Sequence, residues 1–574
     1  MRSGDVGLEL GSRVAAAVRA ALGVEITPAE ALIRPAPPNR ADYQCNAAMG
    51  LAKRLGRPAR EVAAAIVEHL DVSDLAEPPE VAGPGFVNFA LRRDRLAARL
   101  ADLVADDRLG VPPVAEPRRC AIDYGSPNVA KEMHVGHLRS AIIGDAVVRV
   151  LEFAGHDVVR HNHLGDWGTP FGMLIEHLTD EGGSAGGSIR DLDAFYRAAR
   201  RKFDTDPGFA DRSRRRVVAL QRGDEATLAL WRDLVRASER HFAEVYALLG
   251  VKLDEADHYP ESFYNPFLDE VVADLEAAGL TEVSDGAVCV FPPGFTNRDG
   301  ERLPLIVRKS DGGYGYAATD LATVRYWTRE REATDLLYAV GSPQAQHFRM
   351  VFATAERMGW LDDDHRAVHI GFGSVLGEDG KVLRTRAGAS VKLVDLLREA
   401  VDRAAEVLSR RGELPEELRG PVARAVGIGA VKYADLSGDR EKDYVFAWDR
   451  MLALEGNTSV YLQYANARAR SVVARAGRTG GPVSLDTPAE RTLAVQLVRL
   501  PAAVAVTAAE YAPHKLCTYL YETAVAFSAF YEHCPILKAP DDRTRDSRLA
   551  LAHLTSRVLT LGLDLLGIEA PESL

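Results

Sequence analysis

The chain has 574 residues, 47% hydrophobic and 26% charged, with a formal net charge of −12. That composition excludes a disordered chain, leaves room for roughly three or four domains, and argues against a generally basic nucleic-acid coat, though not against local basic patches. The five cysteines (Cys45, Cys120, Cys289, Cys517, Cys534) are scattered without a C-x-x-C pair, which predicts reduced thiols and no cysteine-rich zinc site.

In chain order, "MRSGDVGLELGSRVAAAVRAALGV" reads as an amphipathic helix. Asp5, Glu9 and Arg13 interrupt the apolar core that a signal peptide needs. Residues 1–110 alternate helical patterns with "VAGPGFVNFAL", an aromatic strand entered through a glycine turn. Residues 109–119, "LGVPPVAEPRR", form a linker. "CAIDYGSP" is a short apolar strand ending in turn residues. The helix after it buries Leu138, Ile142, Ala146 and Val150 on one stripe and ends at Gly155. "DVVRHNHLGDWG" is a second strand, so the unit is strand–helix–strand, with parallel strands in an α/β nucleotide-binding layout. An insertion over about 175–300 opens with "DEGGSAGGS". Beyond about 400 nearly everything reads helical. The uncharged run 500–509 is too short to span a bilayer. A cytoplasmic protein without membrane association is expected.

The most informative stretch is "SPNVAKEMHVGHLRSAIIGD", 126–145. His134 and His137 stand at i and i+3, where the strand turns into a helix. Metal binding needs another ligand, and the H-E-x-x-H spacing is absent. A core or capping role is the plain alternative. The phosphate reading has more behind it: a helix N-terminus offers partial positive charge and N–H donors, two imidazoles can donate, and Gly136 leaves room for a flat base.

"HVGH" resembles the first signature of class I aminoacyl-tRNA synthetases, and the whole segment resembles the arginyl-tRNA synthetase version. "HLGDWGTPFG" (163–172), "GYAATDLA" (315–322), "LGEDGKVLRTRAG" (376–388), "YLQYANARARS" (461–471) and the tail "GLDLLGIEAPES" are similar to that family in the same order. The resemblance implies a Rossmann-like parallel-sheet catalytic domain at 118–400 carrying the insertion and an α+β tRNA-binding domain at 1–110. It further implies a stem-contact helical region at 400–455 and an all-α anticodon-binding domain at 456–574. It implies ligation of arginine to tRNA(Arg) through an arginyl-adenylate, by a monomer. ATP arrives with Mg²⁺ held mainly by its phosphates, and no zinc is expected.

Residue by residue, the resemblance places His134, Gly136 and His137 on ATP, with Lys381, Arg384 and Arg386 of the second-signature loop. A guanidinium calls for carboxylates. Asp123, Tyr316 and Asp320 are expected to meet it, with Asn128 and Gln344 on the α-amino and carboxylate groups. The second signature, usually K-M-S-K-S, here reads "GKVLRTRAG" and lacks the lysine that steadies the phosphates. Lys131, three residues before His134, is expected to supply that charge, the alternative being a solvated loop lysine. For tRNA, Phe86 and Asn88 are expected to touch the elbow. Arg468 and Arg470 are expected to contact the anticodon side, and the basic run 197–216 suits phosphate.

Other classes fit less well. "GFGSVLG" (371–377) has one residue too many for a dinucleotide G-x-G-x-x-G, and the "EDGKVL" after it reads as a hairpin turn. A small-molecule nucleotidylyltransferase has no need of the helical C-terminal third. A non-catalytic relative is expected to have lost signature residues.

Overall fold

The computed structural model describes residues 4–36, 41–168, 170–182, 191–383, 391–410 and 414–574. At the N-terminal end, helices Val6–Leu22, Ala47–Leu55 and Ala59–Glu68 pack on a four-stranded antiparallel sheet. Its strands are β1 (Ile33–Pro35), β2 (Tyr43–Cys45), β3 (Glu80–Ala82) and β4 (Phe86–Phe89), in the order β1-β2-β4-β3. The aromatic strand expected in "GPGFVNFAL" is β4. Its turn needs glycine: Gly85 has φ 146°, and a Cβ there would lie 2.7 Å from the Ala59 carbonyl oxygen.

Chain order then gives β5 (Arg119–Asp123), β6 (Asp157–His161), β7 (Thr281–Ser284), β8 (Ala287–Val290), β9 (Leu305–Arg308), β10 (Asp335–Tyr338) and β11 (Arg366–His369). Strands β7 to β9 form a small antiparallel sheet. The other four form a parallel sheet in the order β11-β10-β5-β6. The chain leaves β5 toward β6 on one side and β10 toward β11 on the other. The crevice between β5 and β10 is therefore a topological switch point, where open α/β sheets bind ligands. Register lines up the last residue of each strand across the carboxyl edge as His369, Tyr338, Asp123 and His161.

Helix Val135–Ala154 links β5 to β6. The predicted stripe is fully inside, with Leu138, Ile142 and Ala146 at 0% exposure and Val150 at 1%. The opposite face is buried as well, because helices of the C-terminal third, among them Leu393–Ser409, Glu416–Leu436, Leu500–Glu510 and Asp542–Leu565, lie against it. Gly144 lets it press onto β5, since a Cβ there would sit 2.3 Å from the Tyr124 Cβ. Its buried charges are consequently paired. Arg139 donates to both carboxylate oxygens of Asp435 at 3.0 and 3.1 Å, and to the Lys442 carbonyl at 2.9 Å. Asp145 holds Arg149 at 2.7 Å and accepts from the Lys252 N–H at 2.8 Å.

The insertion contributes helices Leu192–Thr205, Pro207–Gln221 and Glu225–Leu249, which fold back on helix Pro170–Asp180. One stretch, Pro488–Glu510, is long and apolar enough to cross a bilayer by length and composition. It is divided into two helices, and 61% of its apolar window is buried inside the protein.

The Arg139–Asp435 pair ties the signature helix to helix Glu416–Leu436, with side chains 2% and 0% exposed. Asp435→Ala leaves a buried guanidinium unpaired. It should cost about 3–5 kcal/mol, read as a lowered urea midpoint, and replacing both partners by leucine should recover much of the loss.

Candidate active site

The loop from β5 to the signature helix is pinned from three sides. Ser126 N–H donates to Asn162 Oδ1, Val129 N–H to the Gly165 carbonyl, and Ala130 N–H to Ser238 Oγ. Met133 N–H donates to His241 Nε2. The segment 391–393 completes the clasp: Val135 N–H donates to the Val391 carbonyl, and Leu393 N–H to that of Met133. Ser126 (φ 45°) and Ala130 (φ 61°) are held in the left-handed region without being glycine. Such strain persists where surrounding contacts over-determine it.

The two signature histidines form a capping box. His134 Nδ1 accepts from Gly136 N–H at 3.0 Å, and His137 Nδ1 accepts from His134 N–H at 3.1 Å. Burial lowers the pKa of both, that of His137 to about 3. A neutral imidazole that accepts at Nδ1 carries its hydrogen on Nε2. Each ring therefore keeps one Nε2–H donor, with ring centroids 4.1 Å apart. The sequence reading relied on free backbone N–H groups here. Those of Val135, Gly136 and His137 are instead bonded to the Val391 carbonyl, His134 Nδ1 and the His134 carbonyl. The donors left over are the imidazoles. Capping and ligand binding are thus two ends of the same rings. Gly136 also has a nearer reason than a base, since a Cβ there would lie 2.7 Å from His134 Cε1.

Lys131 is half-buried, with its ammonium 4.6 Å from the centroid of Tyr196 on helix Leu192–Thr205. It lies close enough to depress the protonation of both His134 and His137. Lys381 is exposed in a tight turn, where Gly377 N–H donates to its carbonyl at 2.8 Å. That is the hairpin turn expected of "EDGKVL". Arg384 and Arg386 lie outside the described residues.

Asp123 and Asp320 each carry a histidine. Ser126 Oγ donates to Asp123 Oδ1 at 2.8 Å, and His161 Nδ1 is 3.4 Å from the same oxygen. Burial pushes the Asp123 pKa up, but His161, His163 and Ser126 outweigh it and hold it below the usual carboxylate value. Asp320 Oδ2 is 2.5 Å from His347 Nε2. Glu261 is coupled electrostatically to Asp320 and Asp166, and its pKa is raised to about 7, mainly by burial. Asn128 is exposed at the mouth, backed by Gly165, where a Cβ would meet its Oδ1 at 2.5 Å. Gln344 is exposed just ahead of helix Ala345–Arg357. Tyr316 begins helix Tyr316–Arg325 at 77% exposure and is not gathered with the two carboxylates. The sequence alone does not point to His161, His163, Glu261 or His347. "HNHLGD", "PES" and "QHF" contain them, but nothing in their spacing says that these side chains meet one pocket.

The comparisons with known proteins bear on this geometry. Residues 99–448 match the family model "tRNA synthetases class I (R), catalytic domain". Residues 8–91 match "Arginyl tRNA synthetase N terminal domain", and 462–574 match "DALR anticodon binding domain". The "Arginine--tRNA ligase" of Thermobifida fusca is 53% identical over 98% of this chain and 99% of its own. That of Synechococcus elongatus is 48% identical over 98% and 99%. This chain belongs to the arginyl-tRNA synthetase family. Among solved structures, the arginyl-tRNA synthetase of Plasmodium falciparum superposes with a TM-score of 0.86 at 28% identity, covering 99% of both chains. That of Thermus thermophilus gives 0.81 at 26%, covering 99% and 100%.

An arginyl-tRNA synthetase needs surfaces for its RNA. Arg468 lies over Tyr464 and Tyr531, 4.6 and 5.0 Å from their centroids, and Arg470 donates to Thr560 Oγ1 at 3.0 Å. Phe86 is half-buried on β4. Asn88 is buried, and its Oδ1 accepts from Gln44 Nε2 at 2.9 Å, which occupies one acceptor position and leaves its Nδ2 donors. The 197–216 run is less free than its composition suggests. Arg212 and Arg216 pair with Glu176, Arg200 with Asp204, Arg214 with Asp211, and Lys202 with Asp180.

His137 sets a pH dependence of stability. Its folded pKa of about 3 lies below the unfolded value near 6.5. Between those values the unfolded chain takes up a proton that the folded chain refuses, so stability is lost as pH falls and regained as pH rises. His137→Gln should remove about 1 kcal/mol per pH unit of that slope, measured as the shift in urea midpoint between pH 7 and pH 5.

Proposed function

We propose that the crevice between β5 and β10 binds arginine against Asp123 and Asp320 and binds ATP against His134 and His137. As a member of its family the chain is an arginine–tRNA ligase, an ATP-dependent ligase of class I. What supports the residue assignment is Asp123 at its strand end on the switch point and coupled with Asp320 to the same histidine, His163, together with the capping box that leaves two Nε2–H donors at the head of the helix following β5.

The chemistry asks little of a nucleophile or base. The arginine carboxylate attacks the α-phosphorus in line. A new O–P bond forms as the bond to the β-phosphate oxygen breaks, and pyrophosphate leaves. A hydroxyl of the terminal tRNA ribose then attacks the activated carbonyl, and AMP leaves. The protein aligns the reactants and stabilises charge on the phosphates. Neutral His134 and His137 do this as fixed donors and need not exchange a proton. Mg²⁺ arrives with ATP, coordinated mainly by phosphate oxygens. Lys131 adds a positive charge at the departing pyrophosphate. Asn128 and Gln344 orient the amino acid's α-amino and carboxylate groups, and Tyr316, exposed at the start of its helix, is proposed for the guanidinium as well. The N-terminal sheet around Phe86 and the helical face around Arg468 and Arg470 contact tRNA. The expected compartment is the cytoplasm and the expected working unit the monomer.

Arginine-dependent ATP–pyrophosphate exchange in the presence of tRNA tests the reading as a whole. Asp320→Ala should weaken arginine binding by about 2–4 kcal/mol, and neutral citrulline should be a poor substrate of the unaltered enzyme. A near-normal arginine KM in that variant would remove Asp320 from the pocket. Lys131→Ala should slow single-turnover adenylation about 30- to 1000-fold with arginine affinity little changed. A normal single-turnover rate would return Lys131 to a solvated loop.

A further inference from the structure

Asp320, proposed above for the arginine pocket, already has a side-chain partner in this structure. His347 Nε2 lies 2.5 Å from Asp320 Oδ2, and among the described residues no donor is bonded to Oδ1. The two groups come from facing helices, Tyr316–Arg325 and Ala345–Arg357, which pack together. Both side chains are mostly buried, 30% exposed for His347 and 20% for Asp320. We infer that His347 is a positioning residue for arginine recognition: it holds Oδ2 of Asp320, leaves Oδ1 as the acceptor offered to the guanidinium, and when protonated competes with that guanidinium for the carboxylate. This rests on the assignment of Asp320 to the arginine site.

The groups around the pair fix the sign of the effect. Burial pulls the His347 pKa down, but the bond and charge of Asp320 outweigh it and leave it above the ordinary histidine value. Asp320 is the charged group that faces His347 directly. Asp320 also acts electrostatically on Glu261, His163 and Tyr338; Asp123 and His161 act on His163, and Asp166 on Glu261. A guanidinium placed on Asp320 stabilises neutral His347, so arginine binding should expel a proton. Equivalently, arginine affinity falls as pH falls through the His347 pKa. Burial raises the Glu261 pKa to about 7, and its protonation also removes negative charge near Asp320, so the two contributions have to be separated.

Titration calorimetry of arginine into the full-length enzyme at about pH 6, 7 and 8, in buffers of differing ionisation enthalpy, makes that separation for the unaltered enzyme, Glu261→Gln, His347→Gln and the double variant. Glutamine keeps an N–H donor but gains no proton. From pH 8 to pH 6 the arginine Kd should rise about three- to tenfold in Glu261→Gln and change less than about twofold in the double variant, with proton release lost in parallel. Equal pH dependence and equal proton release in those two proteins would overturn the inference. His347→Ala, which offers no donor, should raise the arginine KM in pyrophosphate exchange well beyond His347→Gln while single-turnover adenylation at saturating arginine changes little. Equal KM values for the two would overturn the positioning role. Asp320→Ala separates the two levels. If it leaves arginine affinity intact, the pocket assignment itself fails. If it abolishes binding while the His347 variants titrate like their parents, the failure is confined to His347.

Discussion

The capping box at the head of helix Val135–Ala154 is the contact on which the site depends. Each signature imidazole spends its Nδ1 on a backbone N–H, and that one bond does three things. It satisfies an orphan donor at the helix start, selects the tautomer, and aims Nε2–H outward. Burial then keeps both rings neutral, so the donor pattern does not change across the working pH range.

The helix can hold that position because it has no solvent face. Strands β5 and β6 lie on one side of it and the C-terminal helices on the others. Burying its polar positions has required a partner for each, with Arg139 on Asp435 and Asp145 on Arg149. Lys432, fully buried, donates to the Leu249 and Gly567 carbonyls, which joins the insertion and the C-terminal tail to the same packing centre. Breaking any of these leaves an unsatisfied charge in a low-dielectric interior. The signature helix thus packs directly against helices of the C-terminal domain proposed to contact tRNA.

The pocket for a cation is built from negative charge that is partly offset while the site is empty. Asp123 has His161 and Ser126, Asp320 has His347, and Glu261 is held near the boundary between charged and neutral. A bare cluster of carboxylates would raise its own pKa values by mutual repulsion. Histidine neighbours help stabilise the ionised form of Asp123, and in the site proposed here would give way to a permanently charged guanidinium.

The sequence by itself determined the strand–helix–strand unit, the helical C-terminal third and the family, because these are encoded in local periodicity and in short ordered motifs. From it Asp123, His134, His137 and Asp320 are proposed as site residues, by their places in motifs that resemble the family's. What it could not determine was which atoms remain available. Gly136 looked like room for a base, and tertiary packing gave that space to the His134 ring. The helix N–H groups looked free, and segment 391–393, some 260 residues away in sequence, occupies one of them. The basic run 197–216 looked like a phosphate surface, and Glu176 and Asp180 on another helix neutralise much of it. His347 and Glu261 join the pocket only because helices and loops far apart in sequence converge at the ends of β5 and β10. Pairing between distant side chains leaves no periodicity in the chain, so only the tertiary structure decides it.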